Sequence, residues 1–485
     1  MKAWRPANRE GAAGRAPRSK RARPPKRERP LRGDEPPRIV VPPPGPRSRA
    51  IAARLRAREG AAIWGSDPSP VVWSRARGCV VEDVDGNRYL DMTAGFGVAS
   101  LGHAAPEVRD AVAAQAGRLT QGLGDLMPHE ARERLVAQLS ALGGALSSVL
   151  LASTGSEAVE LALKTARLAT GRRRVVAFKG GYHGLSYGAL AVTERAGFRA
   201  HFKDQVADLA IWVPYPYPYR CPLARNCGGC DLACLDAAFE AIDRALAGPD
   251  PPGAILVEPV QGRAGGVIPP GGFLRALRAR ARERGLLVIY DEVMTGAGRT
   301  GPFWAWEREG PEAGPDLLCA GKGLGGGVAI AALLGRPEIM EAWRPHVLPS
   351  GESPHASTFY AHPIACAGAL AALDRLSSAG LHRHVERMGR RLGEGLRQLA
   401  ARHPAIGEAR SVGLLGAIEF VRDRATREPD PARLSRVHAR FLGAGLLTVP
   451  GGEHGNVLLL HPPLVLTESQ LATAFRILDR HLPDS

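Results

Sequence analysis

Two residues open the chemistry. Lys322 lies in residues 317–327, LLCAGKGLGGG, and Asp291 in residues 286–301, LLVIYDEVMTGAGRTG, each directly after a short apolar run that reads as a buried strand. A lysine so placed can form a Schiff base with an aldehyde. An aspartate on a second loop can keep an aromatic ring nitrogen protonated, so that the ring accepts electrons from a carbanion. Two such residues on two loops are how a chain holds pyridoxal phosphate (PLP).

Other residues suit the same task. Residues 150–160, LLASTGSEAVE, read as a strand, a Thr-Gly-Ser turn and a helix. The N–H groups of Gly155 and Ser156 would then face outward at the positive helix end and seat a phosphate, although Ser with Glu in a first turn is also an ordinary helix start. Tyr182 sits in residues 178–186, FKGGYHGLS, a Gly-flanked loop after a strand where its ring could stack on a flat heterocycle and His183 could crowd the same face. A buried aromatic in a tight loop is the other reading. Val293, two residues beyond Asp291, points to the same side in extended chain and could pack beneath a ring or serve as core.

The elements that must position these residues follow from the hydrophobic pattern. Residues 46–58 read as a short helix and 71–90 as a β-hairpin turning at Asp85-Gly86-Asn87. From about Glu107, helical runs at 131–141, 157–170 and 272–284 alternate with extended runs at 149–152, 175–178, 254–257 and 286–290. That is the rhythm of a mostly parallel sheet flanked by helices, and Asp291 then falls at a strand's carboxyl end, where open α/β sheets bind ligands. Helices at 364–379 and 431–442 and strands at 414–420 and 457–461 follow. The expected organisation is an α/β fold with a basic arm over 1–45, a small-domain segment over 46–105, a large domain over 106–361 and a smaller α+β domain completed by 362–485.

The net charge of +16 is concentrated at one end: residues 1–50 hold 15 basic and 4 acidic side chains. Arginine and proline crowd this arm and apolar residues are scarce, so it is expected to be disordered. It could touch nucleic acid or a membrane surface, yet with the chemistry elsewhere in the chain no nucleic-acid partner is expected. No run of eighteen apolar residues and no apolar leader appear, so the expectation is a soluble cytoplasmic protein with no membrane partner. Four of the 7 cysteines fall in residues 221–234, CPLARNCGGCDLAC, inside an insertion over 214–235. Cys221, Cys227, Cys230 and Cys234 have the ligand count of a zinc or iron–sulfur site in a spacing that matches no standard pattern; reduced thiols on a loop are the other reading.

Taken in order, TGSEAVELALK, YHG, ILVEPVQG, DEVMTGAGRTG, GKGLGGG and STFYAHPIACAGALAAL resemble the class III, or ω-amino acid, aminotransferases, PLP-dependent enzymes of fold-type I, from about residue 46 to the C-terminus. The resemblance implies a large PLP-binding domain and a smaller α+β domain, Lys322 as the Schiff-base lysine and Asp291 as partner of the pyridine nitrogen. It implies Val293 and Tyr182 as ring clamps, with His183 beside them, and Gly155 with Ser156 as the phosphate seat. Glu258 and Met294 would lie near the cofactor, and Thr358 would reach the phosphate of the other subunit in a homodimer. The implied reaction moves an amino group from an amine or ω-amino acid, 4-aminobutyrate- or ornithine-like, to a 2-oxo acid. Decarboxylases, aminomutases and epimerases share the scaffold.

The chain departs from that family where substrate carboxylates are gripped. Many members carry arginine in a stretch resembling NVxRxxPPL; here it is NVLLLHPPL, with Leu459 in the arginine's place. The arginine that often follows YHG is Leu185, and Met294 stands where several relatives have glutamine. Loss of a bidentate guanidinium costs about 2 to 5 kcal/mol of carboxylate binding at a buried site unless another cation serves. Arg263, where the EPVQG loop of many relatives continues with glutamate, is the candidate replacement, with a surface contact as the alternative. Phe96 is a further candidate substrate contact.

Overall fold

In the computed structural model, residues 30–61, 70–223 and 230–482 are described. Among them, seven short runs build the central sheet: β1 (Ser148–Ala152), β2 (Arg174–Phe178), β3 (Ala210–Val213), β4 (Pro252–Val257), β5 (Leu287–Asp291), β6 (Leu317–Ala320) and β7 (Ala331–Gly335). They lie in the order β1-β7-β6-β5-β4-β2-β3. The strands from β2 to β6 run parallel, whereas β7 is antiparallel to both of its neighbours.

The period of two along each strand decides what covers the sheet. In β4, Ala254 and Leu256 face a cluster with Ala158, Leu161 and Ala162 of the helix Gly155–Thr170, while Ile255 and Val257 face Phe239, Leu274 and Leu277 of the helices Ala233–Leu246 and Phe273–Glu283. Every residue of β4 is buried, as a sheet covered on both faces requires. Each buried leucine or isoleucine contributes about 2 kcal/mol. Because β2, β4, β5 and β6 are parallel, their carboxyl ends share one edge, and Tyr182, Glu258, Asp291 and Lys322 all follow from it.

Two smaller sheets flank this unit. The expected hairpin over 71–90 is a three-stranded meander, Trp73–Arg77, Val80–Asp83 and Arg88–Asp91, because Gly78 at φ +55° permits an extra tight turn between Arg77 and Val80. Leu446–Leu447 joins it in parallel. The second sheet is antiparallel and contains Ile406–Val412, Leu415–Phe420, Val457–Leu460 and Val449–Gly451.

Of the arm expected to be disordered over 1–45, residues 1–29 lie outside the described residues, and the stretch 33–41 is fixed to the body. Asn87 Oδ1 accepts from the N–H groups of Val40 and Val41 at 2.8 and 3.0 Å, and Gln470 Nε2 donates to the Gly33 carbonyl at 3.0 Å. Distant partners thus supply order that the local composition does not. The helix Pro363–Leu376, expected with the small domain, packs on the helices Pro106–Ala116 and Glu130–Gly143. Its alanines and glycines allow that approach: a Cβ on Gly368 would lie 3.2 Å from Val112 Cγ2 of the first of these helices. Among the described residues no single helix is long and apolar enough to cross a membrane.

Candidate active site

The loops at the carboxyl edge of the sheet meet around one cavity of about 550 Å³. It is lined by Phe96, Gly155, Ser156, Tyr182, His183, Glu258, Arg263, Asp291, Val293, Met294 and Lys322. Lys322 follows β6 and adopts φ +45°, a left-handed conformation that costs a lysine on the order of 1–3 kcal/mol. Its side chain runs beside Met294: a Cβ on Gly97 would lie 3.4 Å from Met294 Sδ and 3.9 Å from Lys322 Cδ. Burial pushes the proton affinity of Nζ down; the Asp291 and Glu258 carboxylates pull it up, and Arg263 lowers it further, leaving a net fall.

Asp291, the last residue of β5, is 5% exposed. Its Oδ2 accepts from His183 Nδ1 at 2.8 Å and its Oδ1 from the Val293 N–H at 3.1 Å, so both oxygens are oriented. His183, expected to crowd the stacking face beside Tyr182, is engaged with this carboxylate. Burial works against the charged imidazole, but the bond to Asp291 and the Asp291 and Glu258 charges outweigh it and its pKa is raised. Glu258 ties two loops together by accepting from the N–H groups of Tyr182 and Gly262, both at 3.0 Å. Burial lifts its pKa to about 7, with His183 opposing and Asp291 reinforcing the rise.

The turn before Gly155–Thr170 leaves two backbone donors open at the helix start. Thr154 Oγ1 takes the Glu157 N–H at 3.1 Å and Glu157 Oε2 takes the Ser153 N–H at 2.8 Å. The N–H groups of Gly155 and Ser156 make no hydrogen bond among the described residues. A Cβ on Gly155 would lie 2.8 Å from Val293 Cγ1, so only glycine lets the loop after β5 approach this helix end. A buried lysine, a buried and fixed carboxylate, and two open N–H donors at a helix start make up the donor set that a phosphorylated pyridine aldehyde needs, so these residues fit PLP.

Arg263 lies at the cavity wall with its guanidinium carbon 5.8 Å from the ring centroids of both Phe96 and Tyr182. Its loop is clamped by Arg410, whose Nη2 donates to the Gly265 carbonyl at 2.7 Å and whose Nε donates to that of Gly266 at 3.0 Å. Glu419 pairs with Arg410 at 3.0 Å and with Arg220 of the YPYPYR segment at 2.6 Å. Leu459 and Leu185 line the cavity, as their places in the sequence imply. Phe198 and His461 also line it and carry no sequence signal that marks them. His461 donates from Nδ1 to the Thr93 carbonyl at 2.6 Å, and burial, with nearby Arg299, drops its pKa to about 4, so it stays neutral.

Thr358 is not brought to the cavity. It is exposed, and its carbonyl accepts from Gln121 Nε2 at 2.7 Å. Cys227 lies outside the described residues. Cys221, Cys230 and Cys234 are free thiols, and among the described residues no group of three or more His, Cys, Asp or Glu is arranged to hold a metal. Burial first, then Cys230 and Cys221, pushes the Cys234 thiol up to about 12, so it stays protonated and unreactive.

A sequence model of the aminotransferase class-III family matches residues 63–482. A 4-aminobutyrate aminotransferase from Mycobacterium leprae is 35% identical over 450 residues, covering 92% of this chain and 98% of that protein. An alanine/serine racemase from Pyrococcus horikoshii is 32% identical over 464 residues, covering 93% of each. The structure of an amine transaminase from an uncultivated Pseudomonas species in its PLP-bound form superimposes with a TM-score of 0.80 at 31% identity, covering 88% of this chain and 98% of that one. With the lysine, the carboxylate and the open helix start gathered at one sheet edge, this chain belongs to the class III aminotransferases and is a PLP-dependent transaminase.

Proposed function

We propose that this enzyme transfers an amino group from an amine or ω-amino acid of the 4-aminobutyrate class to a 2-oxo acid, with Lys322 as the covalent anchor and proton carrier. The observation that carries this reading is the convergence of a desolvated Lys322 and a fixed Asp291 in one cavity beside an open helix start. The likeness to a 4-aminobutyrate aminotransferase supports the donor class. Steady-state transfer from a panel of 4-aminobutyrate, ornithine, lysine, alanine and diamines to 2-oxo acids tests it. Transfer from an ω-amine is expected; transfer from α-amino acids alone would refute the donor assignment.

When bound, PLP supplies an electron sink for negative charge that develops at the substrate carbon. Gly155 and Ser156 would hold its phosphate through their N–H groups, and Asp291, braced by His183, would hold a proton on its ring nitrogen. Val293 and Tyr182 would flank the ring, with Glu258 and Met294 at its edge. Nζ of Lys322, favoured in its neutral form by desolvation, would take the proton from the amine-bearing carbon of the donor and, in the second half-reaction, would deliver a proton to the keto carbon of the 2-oxo acid. Leu185, Phe198 and Leu459 exclude water from that transfer.

A homodimer completes the reading, with Thr358 serving the neighbouring subunit. Leu123, Leu126, Met127 and Phe359 are 57, 50, 61 and 60% exposed, and the segments that carry them meet through Gln121 and Thr358. An exposed apolar patch of that kind suits burial by a second copy. A cytoplasmic setting is supported by the described cysteines all being free thiols.

A second reading, racemisation on the same scaffold, is favoured by leucine at 185 and 459 and by the likeness to an alanine/serine racemase. Turnover without any 2-oxo acid separates the two, since a racemase continues alone.

A further inference from the structure

Arg263 lines the cavity, and Arg195, from an unrelated loop, stands against Phe198 of the same wall. Arg263 lies 5.8 Å from the Phe96 and Tyr182 rings. Arg195 lies 5.5 Å from the Phe198 ring, which meets Tyr182 edge-on at 5.8 Å. The cations therefore sit against three aromatic rings, Phe96, Tyr182 and Phe198, all at the cavity wall.

Neither guanidinium is ion-paired among the described residues. Arg195 donates to the Gly452 carbonyl at 3.3 Å, and Arg263 offers its five N–H donors to no protein acceptor there. Glu453 and Glu194 are the carboxylates whose charge reaches Arg195; Glu194 is occupied by the Gly180 N–H at 3.2 Å, and neither closes on the arginine. The Gly452 N–H in turn donates to the Arg263 carbonyl at 3.3 Å, so one residue joins the two loops, and the Arg263 charge adds to burial in lowering the proton affinity of Arg195. Like charges held together without an anion cost free energy that a bound carboxylate would recover.

The rest of the wall offers no second grip. Leu459 packs with Ala417, Val449 and Val457, and a Cβ on Gly451 would lie 2.7 Å from its Cδ1, so this side is filled with hydrocarbon. Leu185 and Val449 extend it, and His461 beside them is uncharged. A second carboxylate placed there would lose its water without meeting a cation of this chain.

Building on the transaminase reading, we infer that Arg195 and Arg263 together form the carboxylate subsite of this enzyme and that it takes one carboxylate at a time. The fitting acceptor is a 2-oxo acid with a single carboxylate and a short apolar side chain, and a dicarboxylic 2-oxo acid is discriminated against.

Calorimetric titration of the PLP-loaded enzyme with butanoate and glutarate, unreactive mono- and dicarboxylates, tests this. Butanoate is expected to bind at least about tenfold more tightly than glutarate, and Arg195→Gln and Arg263→Gln each to weaken it by about tenfold or more. Pyruvate is expected to show the same loss in KM, while far-ultraviolet circular dichroism and melting temperature match the unaltered enzyme in both variants and show that they fold. Glutarate binding as tightly as butanoate, no butanoate binding by the unaltered enzyme, or a loss in only one variant would overturn the pairing. If no amine converts the unaltered enzyme, the transaminase reading fails, and the calorimetry still decides the subsite.

Discussion

Lys322 must shed a proton before it can take one from a substrate carbon, and its surroundings favour the neutral amine. Burial lowers its proton affinity despite the two carboxylates that raise it. The rate of amine conversion by the loaded enzyme, followed by stopped-flow absorbance, is expected to rise with pH through a value below that of an ordinary lysine and then level off. A rate that falls over that range would contradict the role of Nζ as base. Lys322 and Asp291 are legible in the sequence because each follows an apolar run that can only be a buried strand, and a strand end fixes where the next side chain stands. Arg195, Phe198 and His461 are not legible. Arg195 is one of 64 lysines and arginines and lies between two short helices, and only the folding of its loop onto Tyr182 gives it a place.

At the scale of elements, the approach of the loop after β5 to the helix Gly155–Thr170 sets the space at the proposed phosphate seat. Gly155→Ala is expected to weaken PLP binding by about tenfold through the contact with Val293, and Val293→Ala added to it to restore part of the loss, as read by equilibrium dialysis. Additive losses would show that the contact does not govern the seat. The same loop is tied down by Glu292, whose oxygens accept from the Ala305 and Trp306 N–H groups at 2.7 and 3.0 Å. Burial is the main cause that lifts its pKa from 4.5 to about 8, so the folded chain holds a proton that the unfolded chain releases. Its contribution to stability is full below pH 4.5 and is lost as pH rises through about 8. Glu292→Gln is therefore expected to give a flatter dependence of urea stability on pH across that window than the unaltered protein, and an identical slope would contradict the assignment. The parallel core and its covering helices are readable from period and length, but the direction of β7 is not, since an apolar run reads the same either way. The helix Ala379–Arg402 is masked in sequence by interior glycines, which packing demands: a Cβ on Gly389 would lie 2.6 Å from the Gly413 carbonyl oxygen.

For the whole molecule, the proposed homodimer rests on the exposed patch of Leu123, Leu126, Met127 and Phe359, and under that proposal subunit association completes the phosphate site. The mass in solution is expected to be twice 51.5 kDa, and Leu123→Asp with Met127→Asp to yield monomers that hold PLP weakly, both read by analytical ultracentrifugation with absorbance detection. A fully active monomer would remove Thr358 from the site. Such an association is invisible in sequence patterning, because the patch is assembled from two segments more than two hundred residues apart.

The central claim is a transaminase anchored at Lys322, and absorbance of the PLP-loaded enzyme during amine addition without any 2-oxo acid tests it most directly. One equivalent of donor per active site is expected to bleach the cofactor band once, a 2-oxo acid to restore it, and Lys322→Ala to abolish both changes. Continued turnover of donor in the absence of a 2-oxo acid, or bleaching that survives in Lys322→Ala, would contradict it.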